Sequence, residues 1–146
     1  MRPLTTLERD RIDRLVGRGP NVLVRFVVDG CPWPKERPRF VAVGRRGRFA
    51  AITSPATRQA ERDLAWAWRH EWRARPLERG PLTLAAWFYR PTRRRVDVDN
   101  LLKLVLDAGT AARVWADDSQ VHQLLGGLDL DRVHPRTLVA LARVEE

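Results

Sequence analysis

Two groups of carboxylates stand out from an otherwise basic chain. The first is Asp97-Val98-Asp99-Asn100, followed by Lys103 and Asp107; the second is Asp117-Asp118-Ser119-Gln120. The 146 residues carry 27 Lys and Arg against 18 Asp and Glu, a net charge of +9. Clustered acids in such a chain point to a site for a hard cation on a surface that attracts polyanions. A metal-dependent nuclease needs that combination.

The segment that follows Asp97 must form a helix. At 100° per residue, Asp99, Lys103 and Asp107 span about 80° of its surface. Leu101, Leu102, Leu104, Val105, Leu106 and Ala108 fill the remainder. One face is therefore apolar and the other presents carboxylate, ammonium, carboxylate. A solvated face accounts for Asp99 and Lys103 as an i,i+4 ion pair of about 0.2–0.5 kcal/mol. It leaves Asp97, Asn100 and the second acidic pair without a reason. Asp97 and Asp99 flank Val98, so extended or capping geometry aims both the same way. A helix from Asp99 to Ala111 is about 18 Å long. Seven further steps to Asp118 cover about 24 Å when extended, so Asp118 can return to the helix N-terminus. Were the helix longer, Asp118 would sit nearer Asp107. Two carboxylates about 4 Å apart repel by roughly 4 kcal/mol at an effective dielectric near 20. Three converge comfortably only around a cation, and oxygen ligands select Mg²⁺ or Mn²⁺ over zinc.

The elements that must position these groups follow from periodicity. Thr5 and Glu8 have capping-box spacing before a short helix ending at Val16, with Leu7, Ile12, Leu15 and Val16 as its apolar stripe. Val22 to Asp29 alternates as a strand. Gly30 to Arg39 is a cationic loop stiffened by Pro32, Pro34 and Pro38. Phe40–Val43 and Arg48–Ile52 read as a hairpin with Arg45 and Arg46 at its tip. Ser54-Pro55 starts a helix that runs to about Arg73. Its Leu64, Trp68 and Trp72 have the spacing of a core stripe rather than of a base-stacking platform. Leu82 to Tyr89 alternates as a strand, and Arg90 to Arg95 forms a basic loop. The helix of the site extends from Asp99 to about Ala112, and strands at Val121–Leu128 and Thr137–Val144 close the chain. The expected fold is a single α+β domain, a mixed sheet with two main helices packed on it. Residues 1–20 are an N-terminal helical extension beside a domain of residues 21–146.

Composition excludes several classes. A single cysteine, Cys31, rules out an intrachain disulfide and a Cys-rich zinc site. His70, His122 and His134 lack zinc-ligand spacing. There is no apolar run of membrane-spanning length and no signal peptide, which favours the cytoplasm. The basic excess is almost all arginine, since Lys35 and Lys103 are the two lysines.

These residues resemble the RusA family of Holliday junction resolvases, endodeoxyribonucleases of bacteria and their prophages. The family pattern appears as Asp97-Val98-Asp99-Asn100, Lys103, Asp107-Ala108 and Asp117-Asp118-Ser119-Gln120-Val121. An N-terminal pattern appears as Gly30-Cys31-Pro32-Trp33-Pro34-Lys35-Glu36-Arg37-Pro38-Arg39. The match spans about residues 22 to 144. One departure is Gly109, where a leucine usually follows the Asp-Ala step. The resemblance implies a homodimer and Mg²⁺-dependent cleavage of branched DNA, four-way junctions above all. It assigns Asp97, Asp99 and Asp118 to the metal, with Mn²⁺ as a substitute ion, and Lys103 as an essential cation. Asn100, Asp107 and Asp117 would support that group by fixing Lys103 or metal-bound water. Arg93, Arg94 and Arg95 would hold backbone phosphates beside the site. Lys35, Arg37, Arg39, Arg45 and Arg46 would form a second phosphate-binding strip. The rival readings are a basic DNA-binding module with structural carboxylates, and a metal nuclease for other branched DNA.

Overall fold

The computed structural model describes residues 1–36, 39–44 and 47–144, without the side chain of Arg39. Helix α1 spans Thr6–Val16, α2 Pro55–Trp72 and α3 Val98–Ala111; the strands are β1 Val22–Asp29, β2 Arg39–Val43, β3 Arg48–Ile52, β4 Leu82–Arg90, β5 Val121–Leu130 and β6 Arg136–Arg143. The main sheet has the order β1-β6-β4-β5, while β2 and β3 form a separate two-stranded sheet. Strand β6 is antiparallel to both β1 and β4, whereas β5 runs parallel to β4. The fold is α+β with a mixed sheet, as the sequence pattern requires. No helix among the described residues is long and apolar enough to cross a membrane.

Both faces of the sheet are covered. On one, α2 and α3 bury Leu64, Trp68, Trp72, Leu101, Leu104 and Val105 against Val24, Phe26, Leu84 and Val139. Trp68 is the hinge of this packing. Its ring makes edge contacts with Phe26 and Trp115, and its indole N–H donates to the Val105 carbonyl at 3.1 Å. The tryptophan stripe of α2 is core, as its spacing demands.

The other face is covered by α1. Ile12 is fully buried, and it packs with Val27, Ala85, Leu138 and Ala140, flanked by Leu4, Leu15 and Val16. The N-terminal helix thus packs as a layer on this face of the sheet. The expected stripe is also shifted: Leu7 is 82% exposed and Glu8 is 2% exposed. Glu8 is drawn in by charge. Its carboxylate completes the capping box with Thr5 and accepts from Arg2 at 2.7 and 2.9 Å and from Arg136. Arg136 lies over the Tyr89 ring at 3.8 Å and also pairs with Asp131 at 2.8 Å.

Gly109 explains itself in this packing. A Cβ there would lie 2.2 Å from the Trp115 indole. Trp115 is fully buried and occupies the space that a leucine at position 109 would take. Gly109→Ala is therefore expected to lose about 1–3 kcal/mol through overpacking. In thermal denaturation that is a drop of roughly 3–9 °C. Combining it with Trp115→Phe should recover part of the loss, because the two changes share one volume.

The Arg2 guanidinium, against the opposing effect of burial, holds the Glu8 carboxyl well below its ordinary value of 4.5. The folded state therefore gains stability above that ordinary value and loses it as pH falls toward the lowered one. Glu8→Gln should cost about 3 kcal/mol at pH 7, since it leaves two arginines without their shared anion. Urea titrations from pH 7 down to pH 3 should show the gap between wild type and variant narrowing toward acid.

Candidate active site

Strand β4 ends at Arg90, the basic stretch Arg93-Arg94-Arg95 lies in the loop that follows, and the chain then turns into α3. Asp97 occupies the N-cap position, with extended backbone, yet its side chain makes no capping hydrogen bond. Aspartate at that position ordinarily accepts from the first helical N–H groups. Its carboxylate has no ion-pair partner among the described residues and lines an open cleft together with Asp99, Asn100, Arg95 and Val96. The cleft encloses about 790 Å³, and its opposite wall is Pro34, Lys35 and Glu36.

That wall is fastened at several points. The Trp33 indole donates to Thr57 at 3.1 Å, at the start of α2. The Lys35 backbone N–H donates to the Asn100 carbonyl at 2.9 Å. The Lys35 ammonium bridges Glu61 on α2 and Asp107 on α3, each at 3.2 Å. Asp107 in turn pairs with Lys103 at 3.2 Å. Burial opposes the Lys35 charge, but the bonds to Asp107 and Glu61 outweigh it and hold its pKa above the ordinary value. The proline-rich loop is thus clamped to both helices by one half-buried lysine.

Lys35, read from the sequence as a phosphate contact, is paired with Glu61 and Asp107. Lys103 pairs with Asp107 and not with Asp99. Asp99 instead accepts from the Asn100 N–H at 3.0 Å, at the helix start where backbone N–H groups lack partners. The Lys103 side chain remains half exposed on the same polar strip.

The second acidic pair sits elsewhere. After α3 the chain turns at Trp115, and Asp118–Gln120 forms a short 3₁₀ turn. Asp118 accepts a hydrogen bond from the Thr110 hydroxyl, which itself accepts from the Trp115 indole at 2.8 Å. Asp118 is thereby tied to the C-terminal end of α3. Asp99 and Asp97 are at its N-terminal end, eleven and thirteen residues before Thr110 and about 16–20 Å along the axis. No group of three His, Cys, Asp or Glu side chains able to hold a metal comes together among the described residues. The expected return of Asp118 to the helix start does not occur within one chain. The connection had the length, but Trp115 and Thr110 hold it back.

Asp117 caps the 3₁₀ turn through Ser119, whose hydroxyl and backbone N–H hold its carboxyl below the ordinary value. Gln120 accepts from the N–H groups of Ala116 and Asp117 and donates to the carbonyls of Glu78 and Gly80. It pins the turn to the connection before β4. Thr110 and Glu61 were not singled out from the sequence, whereas Gln120 stood in the second acidic motif without a role of its own. Glu61 meets Lys35 across 26 residues, a contact that spacing does not signal.

Arg93, Arg94 and Arg95 are exposed and line a shallow groove with Leu128, Asp129 and Leu130, adjoining the cleft. No carboxylate among the described residues forms an ion pair with them. Arg37, Arg45, Arg46 and the side chain of Arg39 lie outside the described residues.

The family model for endodeoxyribonuclease RusA matches residues 29–142. The chain belongs to the RusA family of endodeoxyribonucleases. No curated protein matches it. The match takes in the proline-rich loop, the cleft, α3 and the turn carrying Asp118, and it leaves α1 outside.

Lys35→Met should loosen the cleft wall while leaving the sheet intact. The pairs are partly solvated, so a cost of about 1 kcal/mol is expected. Hydrogen exchange should quicken at residues 31–36 and stay unchanged in β4 and β6. Uniform exchange throughout would show that the clamp holds nothing locally.

Proposed function

We propose that this protein is a structure-specific endodeoxyribonuclease that resolves Holliday junctions by paired phosphodiester hydrolysis. The observation that carries the reading is the cleft lined by the Asp97 and Asp99 carboxylates, neither in an ion pair among the described residues, with the exposed arginine run beside it. The donor set fits Mg²⁺, or Mn²⁺ in its place. All donors are oxygen, and Mg²⁺ is commonly held by one or two carboxylates together with substrate phosphates. Asp97 and Asp99 would hold the ion, which when bound would polarise the scissile phosphate and lower the pKa of a water.

The remaining roles belong to the chain. Arg93, Arg94 and Arg95 would seat the backbone of the strand entering the cleft, independent of sequence. Lys103, oriented by Asp107, would stabilise negative charge developing on the phosphate. Lys35 would act by position, keeping the cleft wall in place.

Asp118 enters this scheme through a second copy of the chain. Strand β5 is the sheet edge beside β4, ten residues long, with Leu124 46% and Leu128 40% exposed. Its stretch Gln123-Leu124-Leu125-Gly126-Gly127-Leu128 has no charge and no proline. Edges that stay unpaired are normally blunted by such residues. Because β4 and β5 are parallel, α3 between them runs back against both, with Leu102 packed over Gly126. Asp118 therefore lies at the start of β5 and Asp99 toward its end. An antiparallel β5–β5 pairing about a two-fold axis near Leu125 would set Asp118 of one copy beside Asp97 and Asp99 of the other. The same symmetry gives two equivalent sites, as a junction with two equivalent strands to cut requires.

Asp97→Asn, Asp99→Asn and Asp118→Asn should each abolish Mg²⁺-dependent cleavage of a four-way junction and leave binding intact. Mixing then separates the arrangements. A dimer of one Asp97→Asn chain and one Asp118→Asn chain keeps one intact site if the site is shared between copies. It keeps none if each site lies within one chain. Random exchange should restore about a quarter of wild-type sites, with single nicks in place of paired cuts. Continued inactivity of the mixed dimers would reject the shared site, and Mg²⁺-independent or absent cleavage by wild type would reject the nuclease reading.

A further inference from the structure

The β2–β3 hairpin is unlike the rest of the molecule. It forms a sheet of its own, and an isolated two-stranded hairpin is marginal in water unless something covers it. In its register Phe40 faces Ala51 and Ala42 faces Phe49. Alternation then puts Phe40, Ala42, Phe49 and Ala51 on one face. The two rings are 74% and 69% exposed, and their alanine neighbours leave them standing clear of the backbone.

The charge of the whole segment selects the occupant. From Arg37 to Ser54 the sequence has five arginines and no acidic residue. Arg48, among them, is exposed on β3, where alternation puts it on the face opposite the rings. A second copy of a chain with net charge +9 would bring like charge to this surface. A nucleic acid brings the opposite charge and flat apolar faces to stack on. The hairpin also follows directly in the chain from the loop whose Pro34, Lys35 and Glu36 wall the Asp97–Asp99 cleft.

Resting on the junction-nuclease reading, we infer that Phe40 and Phe49 form a stacking platform for bases exposed at the branch point of the DNA. Duplex interiors hide their base faces in the stack; a branch point presents unstacked ones. Aromatic stacking on bases is tolerant of sequence and strong enough to matter. The hairpin would therefore select branched over linear DNA, while the arginine loop holds either.

The test compares affinity for a four-way junction and for linear duplex across a salt series. Phe40→Ala/Phe49→Ala should weaken junction binding about tenfold or more. Duplex binding and the salt slope should stay at wild-type values, because no phosphate contact is removed. Phe40→Leu/Phe49→Leu keeps apolar area but not a ring, and should lose junction affinity as the alanine variant does. Phe40→Trp/Phe49→Trp should retain it. Melting curves and the mass in solution should match wild type throughout. Equal losses on both DNAs, retained affinity in the leucine variant, or a change in oligomeric state would overturn the platform. A wild-type protein without junction preference would overturn the substrate reading on which it rests. A wild type that prefers junctions beside an alanine variant that does so equally would overturn the platform alone.

Discussion

Leu101, Leu104, Val105 and Ala108 are buried almost completely beneath α2 and over the sheet, and that burial fixes the rotation of α3 about its axis. With most of the circumference apolar, one strip is left for Asp99, Lys103 and Asp107. Any other rotation would bury those charges without partners, at several kcal/mol each. The chemistry of the cleft depends on this constraint. So does the separation of the two acidic groups, because α3 is a rigid rod with Asp97 at one end and Thr110 holding Asp118 at the other. A rod about 20 Å long cannot bring its own ends together.

Charge is handled differently in different places. Where a charge is buried it is neutralised, as with Glu8 between Arg2 and Arg136, or Lys35 between Glu61 and Asp107. These pairs define geometry: the first docks α1 on the sheet, the second holds the proline-rich wall over α3. At the cleft the Asp97 and Asp99 carboxylates stand beside the arginines that precede them, none in an ion pair among the described residues. A cation and a phosphate backbone are the natural complements of those two surfaces.

Packing also accommodates the chain's departure from its family. Gly109 is the small partner of a large neighbour. The same indole that fills its space donates to Thr110, and Thr110 donates to Asp118. A residue that reads as an anomaly in one dimension thus belongs to the mechanism that positions an acidic side chain.

The elements were legible in the sequence because their signals are local. Alternation marked β1 and β4, Ser54-Pro55 and the Thr5–Glu8 box marked helix starts, and the apolar run with one polar strip marked α3. The acidic residues were legible too, since carboxylates are rare enough here to stand out. Contacts between distant segments were not legible. Glu61 meeting Lys35, Thr110 holding Asp118, Glu8 turning inward while Leu7 turns out, and α1 closing the second face all depend on which surfaces meet. Spacing alone allowed Asp118 to return to the helix start, because a chain's reach limits only how far it can go. Packing decided that it stays at the far end, where the buried Trp115 indole fills the space over Gly109 and Thr110 holds Asp118. The sequence by itself determined which residues could do chemistry; the tertiary structure decided which of them share a cleft, since only close packing turns reach into position.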